Sequence, residues 1–200
     1  MKFIPSNYQI SLEQFGFIKD NSCWLKNSLI LNEEEYLSLA EMINSTKGNL
    51  LYRATRDGFE AQEFHTRCDG KSNTITIKNN LNYVFGGYAS SAWNSSGTWI
   101  NDPNAFLFSL RRNGLSLKDK FMTKKPEYSL LGKWNYGPTF GSGFDIHICN
   151  QSNTNNGRNT YCGHIYVRPC EFTFYENASS FLAGHNNKWI TTEIEVYHIL

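Results

Sequence analysis

His147-x-Cys149 and Cys162-x-His164 form the sharpest chemical pattern in the chain. An i, i+2 spacing puts both members of each pair on one face of a β-strand. If the two strands joined as a hairpin, two imidazoles and two thiolates would converge in a donor set that suits tetrahedral zinc. The spacing is not that of a zinc finger, so no metal and no other cofactor is assigned. Cys68 stands beside Arg67; a cation favours the thiolate, whereas a place near the C-terminal end of a helix opposes it. Glu193 and Glu195 alternate onto one strand face. Acid–base catalysis can use such a pair, but a solvated face or a partnership with nearby arginines is the commoner role. Trp93, Trp99 and Trp134 are of the type that stacks on sugar rings, although aromatics in a β-rich chain chiefly fill the core. Gly141-Ser142-Gly143 lacks the lysine and helix of a phosphate-binding loop and reads as a turn. There is no G-x-S-x-G, H-E-x-x-H or P-loop pattern.

The elements that must position these residues are mostly short strands. Residues 73–78 alternate, with Ile75 and Ile77 on one face, and the turn-rich 79–82 leads to Tyr83, Val84 and Phe85, which predicts a hairpin. Gly86 and Gly87 then mark a bulge or the close approach of another backbone. Residues 105–110 form an apolar run suited to a strand buried on both faces, and 144–149 alternate; both read as central strands. Residues 161–167 and 190–200 add two further strand candidates. Two segments are helical. Residues 32–46 open on Asn32 and three glutamates, with Tyr36, Leu37, Ala40 and Ile43 on one stripe and Gly48 as the stop. A shorter helix is expected to start at Asp57, to carry Phe64 and Cys68 on one face, to end at Gly70 and to cover an open end or edge of a sandwich. Short strands without helical crossovers predict a two-sheet antiparallel β-sandwich flanked by short α-helices.

Composition limits the partners. The chain has 200 residues, 19 basic and 18 acidic side chains and a net charge of +1, which argues against nucleic acid and against a basic membrane-binding patch. Five cysteines at wide spacing, Cys23, Cys68, Cys149, Cys162 and Cys170, give no disulfide framework. Residues 1–10 hold no apolar secretory region and no run is long enough to cross a bilayer, so a cytoplasmic, non-inserted protein is expected. The sequons at Asn44, Asn94, Asn150 and Asn177 are then chance occurrences.

Several motifs in order carry a family resemblance. They are Leu50-Leu51-Tyr52-Arg53-Ala54-Thr55-Arg56-Asp57-Gly58-Phe59, then Phe64-His65 and Cys68-Asp69-Gly70-Lys71, then Val84-Phe85-Gly86-Gly87-Tyr88 with Trp93. Asp102-Pro103 precedes Ala105-Phe106-Leu107-Phe108-Ser109-Leu110, and Gly137-Pro138-Thr139-Phe140-Gly141 and Glu193-Ile194-Glu195-Val196-Tyr197 follow. This order resembles the TLDc domain family from about residue 29 to the end, leaving 1–28 as a leader that Phe15, Phe17 and Trp24 suggest packs on the domain. Such a leader has no room for the LysM, BTB, TBC or EF-hand modules that many members carry.

The resemblance implies a β-sandwich with a few helices. It also implies a eukaryotic intracellular protein of the oxidative-stress response that binds and regulates the vacuolar proton-pumping ATPase. Its motif residues are Arg53, Arg56, Asp57, Gly58, Phe59, Gly86, Gly87, Trp93, Gly137, Gly141, Glu193 and Glu195. The glycines are expected to serve backbone geometry. Arg53, Arg56 and Asp57 are expected to form an ion network, with a partner contact as the alternative. Gly163-His164 with Tyr166 also fits, which gives His164 a structural role. The expected function is a non-catalytic interaction domain; the alternative is a thiol-dependent antioxidant enzyme. Polar loops at 94–102, 118–125 and 151–158 are the expected contact sites, with Lys118, Lys120, Lys124 and Lys125 as a basic cluster facing solvent or an acidic partner.

Overall fold

The computed structural model describes residues 28–80, 82–155, 162–167, 180–184 and 190–200. Cys23, Cys170, Asn177, Arg158 and the expected packing of Phe15, Phe17 and Trp24 therefore lie outside the described residues. Among those described, ten strands form two antiparallel sheets, a β-sandwich with short helices. The six-stranded sheet runs in the order β1 (Gly48–Arg53), β10 (Glu193–Ile199), β2 (Thr74–Asn80), β3 (Tyr83–Ala89), β5 (Phe106–Arg112), β6 (Leu115–Met122). The four-stranded sheet is β4 (Ser96–Ile100), β7 (Leu130–Lys133), β8 (Tyr136–Phe140), β9 (Ile146–Cys149).

Helix α1 (Glu33–Ile43) starts where its cap predicts. The Asn32 side chain accepts from the Glu35 amide at 2.9 Å, and the Glu35 carboxylate accepts from the Asn32 amide at 3.0 Å. These bonds satisfy two amides that the first turn would leave without partners. Its end is not at Gly48, which opens β1 instead. Asn44 takes the left-handed conformation, φ 54°, and returns its N–H to the Ala40 and Glu41 carbonyls. Asparagine can substitute for glycine in this role because its short side chain tolerates that region. The buried face holds Glu35, Tyr36, Leu39 and Ala40, whereas Leu37 and Ile43 are only half-buried.

The six-stranded sheet is covered on both faces, which is why Phe106–Arg112 begins as an unbroken apolar run. Ile75, Ile77, Phe106, Phe108, Leu110 and Tyr197 point outward and pack under α1. Phe85, Leu107, Ile194 and Val196 point inward to Leu130, Phe140, Ile146 and Ile148 of the second sheet. Trp93 fills this inner core and donates its indole N–H to Thr74 Oγ1 at 2.8 Å. The 2-to-3 hairpin forms as expected, and Gly86 and Gly87 mark close approaches on opposite faces. A Cβ at Gly86 would collide with the Thr76 carbonyl oxygen and lie 2.7 Å from Phe108 Cζ; one at Gly87 would lie 2.6 Å from the Phe140 ring.

Four further expectations are corrected. First, the helix expected from Asp57 to Gly70 divides into α2 (Ala54–Asp57) and α3 (Ala61–Cys68), because the Asp57 carboxylate is taken by arginines and Gly58 turns the chain at φ 108°. Asn150 Oδ1 accepts the Ala61 amide at 2.8 Å instead, and the helix ends at Asp69. As expected, α3 covers an end of the sandwich, packing on β1 and β8. Second, β9 is an end strand of its sheet, not a central one, although it is buried along its length. Third, described residues 162–167 make turns and a single bridge, Tyr166 to Thr123, not a strand. Fourth, the expected loop at 94–102 contains strand β4, and that at 118–125 overlaps the second half of β6. Among the described residues no helix is long and apolar enough to cross a membrane.

Gly86→Ala should be among the most costly single methyl additions in the chain. The collision is with backbone, so the expected loss is about 3 kcal/mol or more. Urea denaturation measures it, and a loss below about 1 kcal/mol would show that β2 and β3 can separate locally.

Candidate functional site

Of the motif residues, Arg53, Arg56, Asp57, Glu193 and Glu195 come together where β1, α2 and β10 meet, whereas Gly86, Gly87, Trp93, Gly137 and Gly141 lie elsewhere in the sandwich. Strand β10 lies between β1 and β2, so Glu193 and Glu195 sit in the body of the sheet rather than on a solvated face. Glu195 is 0% exposed, and its carboxylate collects donors from three elements. Arg53 Nη2 and Nε donate to Oε1 at 2.7 and 3.0 Å, the Leu29 amide to Oε1 at 2.8 Å, and Ser28 Oγ to Oε2 at 2.7 Å. Tyr197 adds its hydroxyl at 3.2 Å. Burial, then the Glu195 charge, pushes the Tyr197 phenol up. Glu193 accepts the Thr55 amide at 3.1 Å, the Ile194 amide at 2.9 Å and the Thr55 hydroxyl.

Asp57 closes the other side of the network. It accepts the Arg53 amide at 2.9 Å and both Nε and Nη2 of Arg56 at 2.9 and 2.8 Å, with Arg67 Nε at 3.4 Å. Burial pushes the Asp57 carboxyl up, but the bonds from Arg56 and the Arg53 amide and the charges of Arg56 and Arg67 outweigh it and hold it below the usual carboxylate range. The predicted Arg53, Arg56, Asp57 cluster is therefore an ion network, except that the Arg53 guanidinium pairs with Glu195 rather than with Asp57. Phe59 packs at the edge of the inner core and gives its carbonyl to the Gln151 amide at 2.9 Å. Gly137 lies against Ile148, and Gly141 lies against Asp145.

The residues considered for zinc are not assembled as a hairpin. Strand β9 pairs with β8, while Tyr166 bridges to Thr123. Among the described residues there is no group of three or more His, Cys, Asp or Glu that could hold a metal ion. His147 is packed between the Tyr136 and Phe144 rings, with Nδ1 at 3.0 Å from Thr139 Oγ1. Cys149 Sγ lies 3.6 Å from the Asn155 carbonyl. Cys68 is fully buried against Phe64 and Trp93 in the inner core, and burial pushes its thiol up, away from a reactive thiolate.

Two features had no signal in the sequence reading. Asp145, 0% exposed, accepts the amides of Gly163, His164, Ile165 and Tyr166 at 2.9 to 3.3 Å, which gives this stretch the structural role expected of His164. The other is an open cleft of about 630 Å³ beside α3, where His65, Asp69, Ser95, Trp134 and Asn150 are among the lining residues. His65 Nδ1 meets Asp69 Oδ1 at 2.8 Å, and Nε2 meets the Lys133 and Tyr136 carbonyls at 2.9 Å each, so this imidazole ties α3 to the turn between β7 and β8. All its polar atoms are engaged in that tie, and the histidine acts as a structural member of the cleft wall.

A β-sandwich closed by a buried carboxylate–arginine network that joins residues 53–57 to Glu193 and Glu195 defines a recognisable class of domain. The TLDc domain profile matches residues 24–200, and the chain belongs to the TLDc domain family. No curated protein matches the chain.

Two consequences are measurable. Removing one partner of a buried pair leaves the other charge unpaired, so Glu195→Gln should cost about 3–5 kcal/mol, while Arg53→Met with Glu195→Leu recovers a large part of it. Urea denaturation with an unchanged m-value reads both, and a near-neutral Glu195→Gln would mean that the network adds nothing. The second concerns His147, whose imidazole is driven down to about 4 by burial and by the charges of Lys78 and Lys133. In the unfolded chain it titrates near 6.5, so the unfolded state gains a proton that the folded state refuses as pH falls from 6.5 towards 4. Stability should drop by on the order of 3 kcal/mol across that window, and His147→Asn should flatten the fall. Equal pH profiles for the two proteins would show that His147 is not held neutral.

Proposed function

We infer that the chain is a non-catalytic, cytoplasmic interaction domain of the oxidative-stress response in a eukaryotic cell, acting by binding and regulating the vacuolar proton-pumping ATPase. The observation that carries this reading is the TLDc match over residues 24–200, through the family resemblance set out above. The placement of the motif residues supports it. Arg53, Arg56, Asp57, Glu193 and Glu195 spend their charges on one another and on backbone amides, as structural members of a scaffold do. A thiol-dependent enzyme finds less support, because a peroxide-reducing cysteine needs an accessible thiolate and Cys68 is buried with its thiol pushed up. Regulation works by differential affinity: the domain shifts assembly of a complex only as far as it binds one assembly state better than another.

Affinity purification of the tagged protein from a eukaryotic lysate, followed by mass spectrometry, tests the reading. Subunits of the proton pump should be enriched, and purified pump subunits should bind the chain directly. Peroxide turnover by the purified protein without a partner, lost in Cys68→Ser, would overturn it in favour of the enzyme.

A further inference from the structure

The edge of a β-sheet offers backbone N–H and C=O groups to any strand that can reach them, and folded proteins normally block such edges with charge, proline or a covering element. Three edges among the described residues are blocked. Strand β1 has its outer backbone groups taken by α2, where the Asp57 carboxylate accepts the Arg53 amide at 2.9 Å and Arg56 donates to the Leu51 carbonyl at 3.3 Å. Strand β6 carries Lys118, Asp119 and Lys120, of which Lys118 pairs with Glu41 and Lys120 donates to the Met42 carbonyl at 2.9 Å, so α1 and charge guard it together. Strand β9 is buried along its whole length. Strand β4 is different. Ser96, Gly97, Thr98 and Trp99 are exposed, Ile100 is half-buried, and the strand contains neither a charged residue nor proline. Among the described residues its ladder runs to β7 alone.

Beside this edge stands an apolar shelf. Ile100 pairs with Leu130 and turns into the inner core, whereas Trp99 pairs with Leu131 on the outer face. There the Trp99 ring meets Tyr128 of the 3-10 turn Pro126–Tyr128 edge to face, with centroids 6.0 Å apart. Trp99 and Tyr128 are 37% and 40% exposed. Half-exposed aromatics already held by a partner are good anchors, since little rotamer freedom remains to be lost.

The dimensions select the occupant. Gly97 sits at φ 80° where the register with β7 is irregular, between Ser96 and Thr98. The regular template is thus Thr98 to Ile100, roughly 10 Å of strand. Two copies joined through so short a ladder would bury well below the ~1,200 Å² at which stable specific interfaces begin. A short extended peptide fits, because it also wraps onto the aromatic shelf. We propose that β4 takes up an extended, uncharged segment of a partner protein as an added strand, with an apolar side chain of that segment seated against Trp99 and Tyr128. The proposal rests on the reading of the chain as an interaction domain and adds the surface and mode of contact. Main-chain bonds give the affinity and the shelf gives the preference for side chains at alternate positions.

A phage-displayed library of random dodecapeptides, selected on the whole chain, supplies the probe. Enriched peptides should carry an apolar residue in an alternating pattern. They should bind about tenfold more weakly to Ser96→Lys/Thr98→Lys, and also to Trp99→Ala. Those substitutions lie on exposed or half-exposed positions, and unchanged thermal melting checks the fold. A second readout needs no variant: N-methylation of alternate backbone amides in a selected peptide should abolish binding, while methylation of the intervening amides leaves it. Selection of no such peptide, binding indifferent to the lysine pair, or indifference to N-methylation overturns the proposal. A dimer in sedimentation that the lysine pair abolishes gives the edge to a second copy and also overturns it. Peptide binding that depends on β4 without recovery of pump subunits supports the edge and overturns only the pump reading. Pump recovery without such peptides overturns the edge and leaves the pump reading standing.

Discussion

A carboxylate can leave water only where donors meet it, because an unpaired buried charge costs several kcal/mol. Among the described residues five carboxylates meet this condition: Glu35, Asp102, Asp145, Glu193 and Glu195 are all buried. Each receives donors from segments that the strand ladders do not reach. Glu35 holds the start of α1 and takes both Nε and Nη2 of Arg111 at 2.7 and 2.8 Å, so the helix is bolted to β5. Asp102 gathers the Ser90 and Ser91 amides at 2.7 and 2.9 Å and the Asn104 amide at 3.1 Å, which fixes the exit from β3 against the entry to β5. Asp145 orders 163–166, and the two glutamates of β10 hold α2 and the chain at Ser28. A sandwich of short strands has long connections to control, and here the control is electrostatic.

That arrangement explains which parts of the fold were legible in the sequence. Local rules were readable because their partners lie nearby. Asn32 and Glu35 meet across three residues, and Ile75 and Ile77 show their period within one strand. The two-residue period also placed Glu193 and Glu195 on one face correctly. It did not say that the face is closed, since its lid comes from Ser28, Leu29, Arg53 and Thr55, far away in the chain. The cap of α3 was misplaced for the same reason: Asn150 lies 89 residues from Ala61, while Asp57 was nearby and looked suitable. Alternation cannot tell an end strand from a central one, which is why the pattern of β9 suggests a central place that the sheet order does not give it. Ser96–Ile100 read as a loop because serine, glycine and threonine carry turn propensity, and only pairing with β7 makes it a strand.

The candidate site was legible as a set of residues but less so as a set of roles. A motif such as Leu50 to Phe59 identifies a family because its residues fit one another, and that is what the ion network requires. Residues recruited in this way are committed to one another, even where, as at Thr55 and Arg56, they stay exposed. The chemistry suggested by His147, Cys149, Cys162 and His164 depended on one pairing of strands, and the chain makes a different one. For an interaction domain, as proposed above, recognition falls to surfaces where local sequence is least constrained by packing, and there the pattern is weakest. The basic residues follow this logic. Lys118 and Lys120 were candidates for a partner, but they serve the contact between α1 and β6, and Lys124 donates to the Gly163 carbonyl at 3.0 Å.

A rigid frame changes what binding costs. Ordering a loop on association consumes part of the free energy of contact, whereas a strand already fixed in a sheet has lost its backbone freedom during folding. In β4 that fixation comes from β7 on one side and from Ile100 anchored in the inner core. The aromatic shelf is held likewise, since the Tyr128 amide is fixed to the Lys125 carbonyl at 3.0 Å and the neighbouring Ser129 hydroxyl donates to the Asp102 carbonyl at 2.9 Å. The same aspartate that pins β3 to β5 therefore stabilises the ground beneath Tyr128. Buried charge and exposed edge meet at one residue: the Asp102 carboxylate takes four donors from Ser90, Ser91 and Asn104, while its main-chain carbonyl takes the Ser129 hydroxyl beside the edge at which a fifth strand can join the sheet.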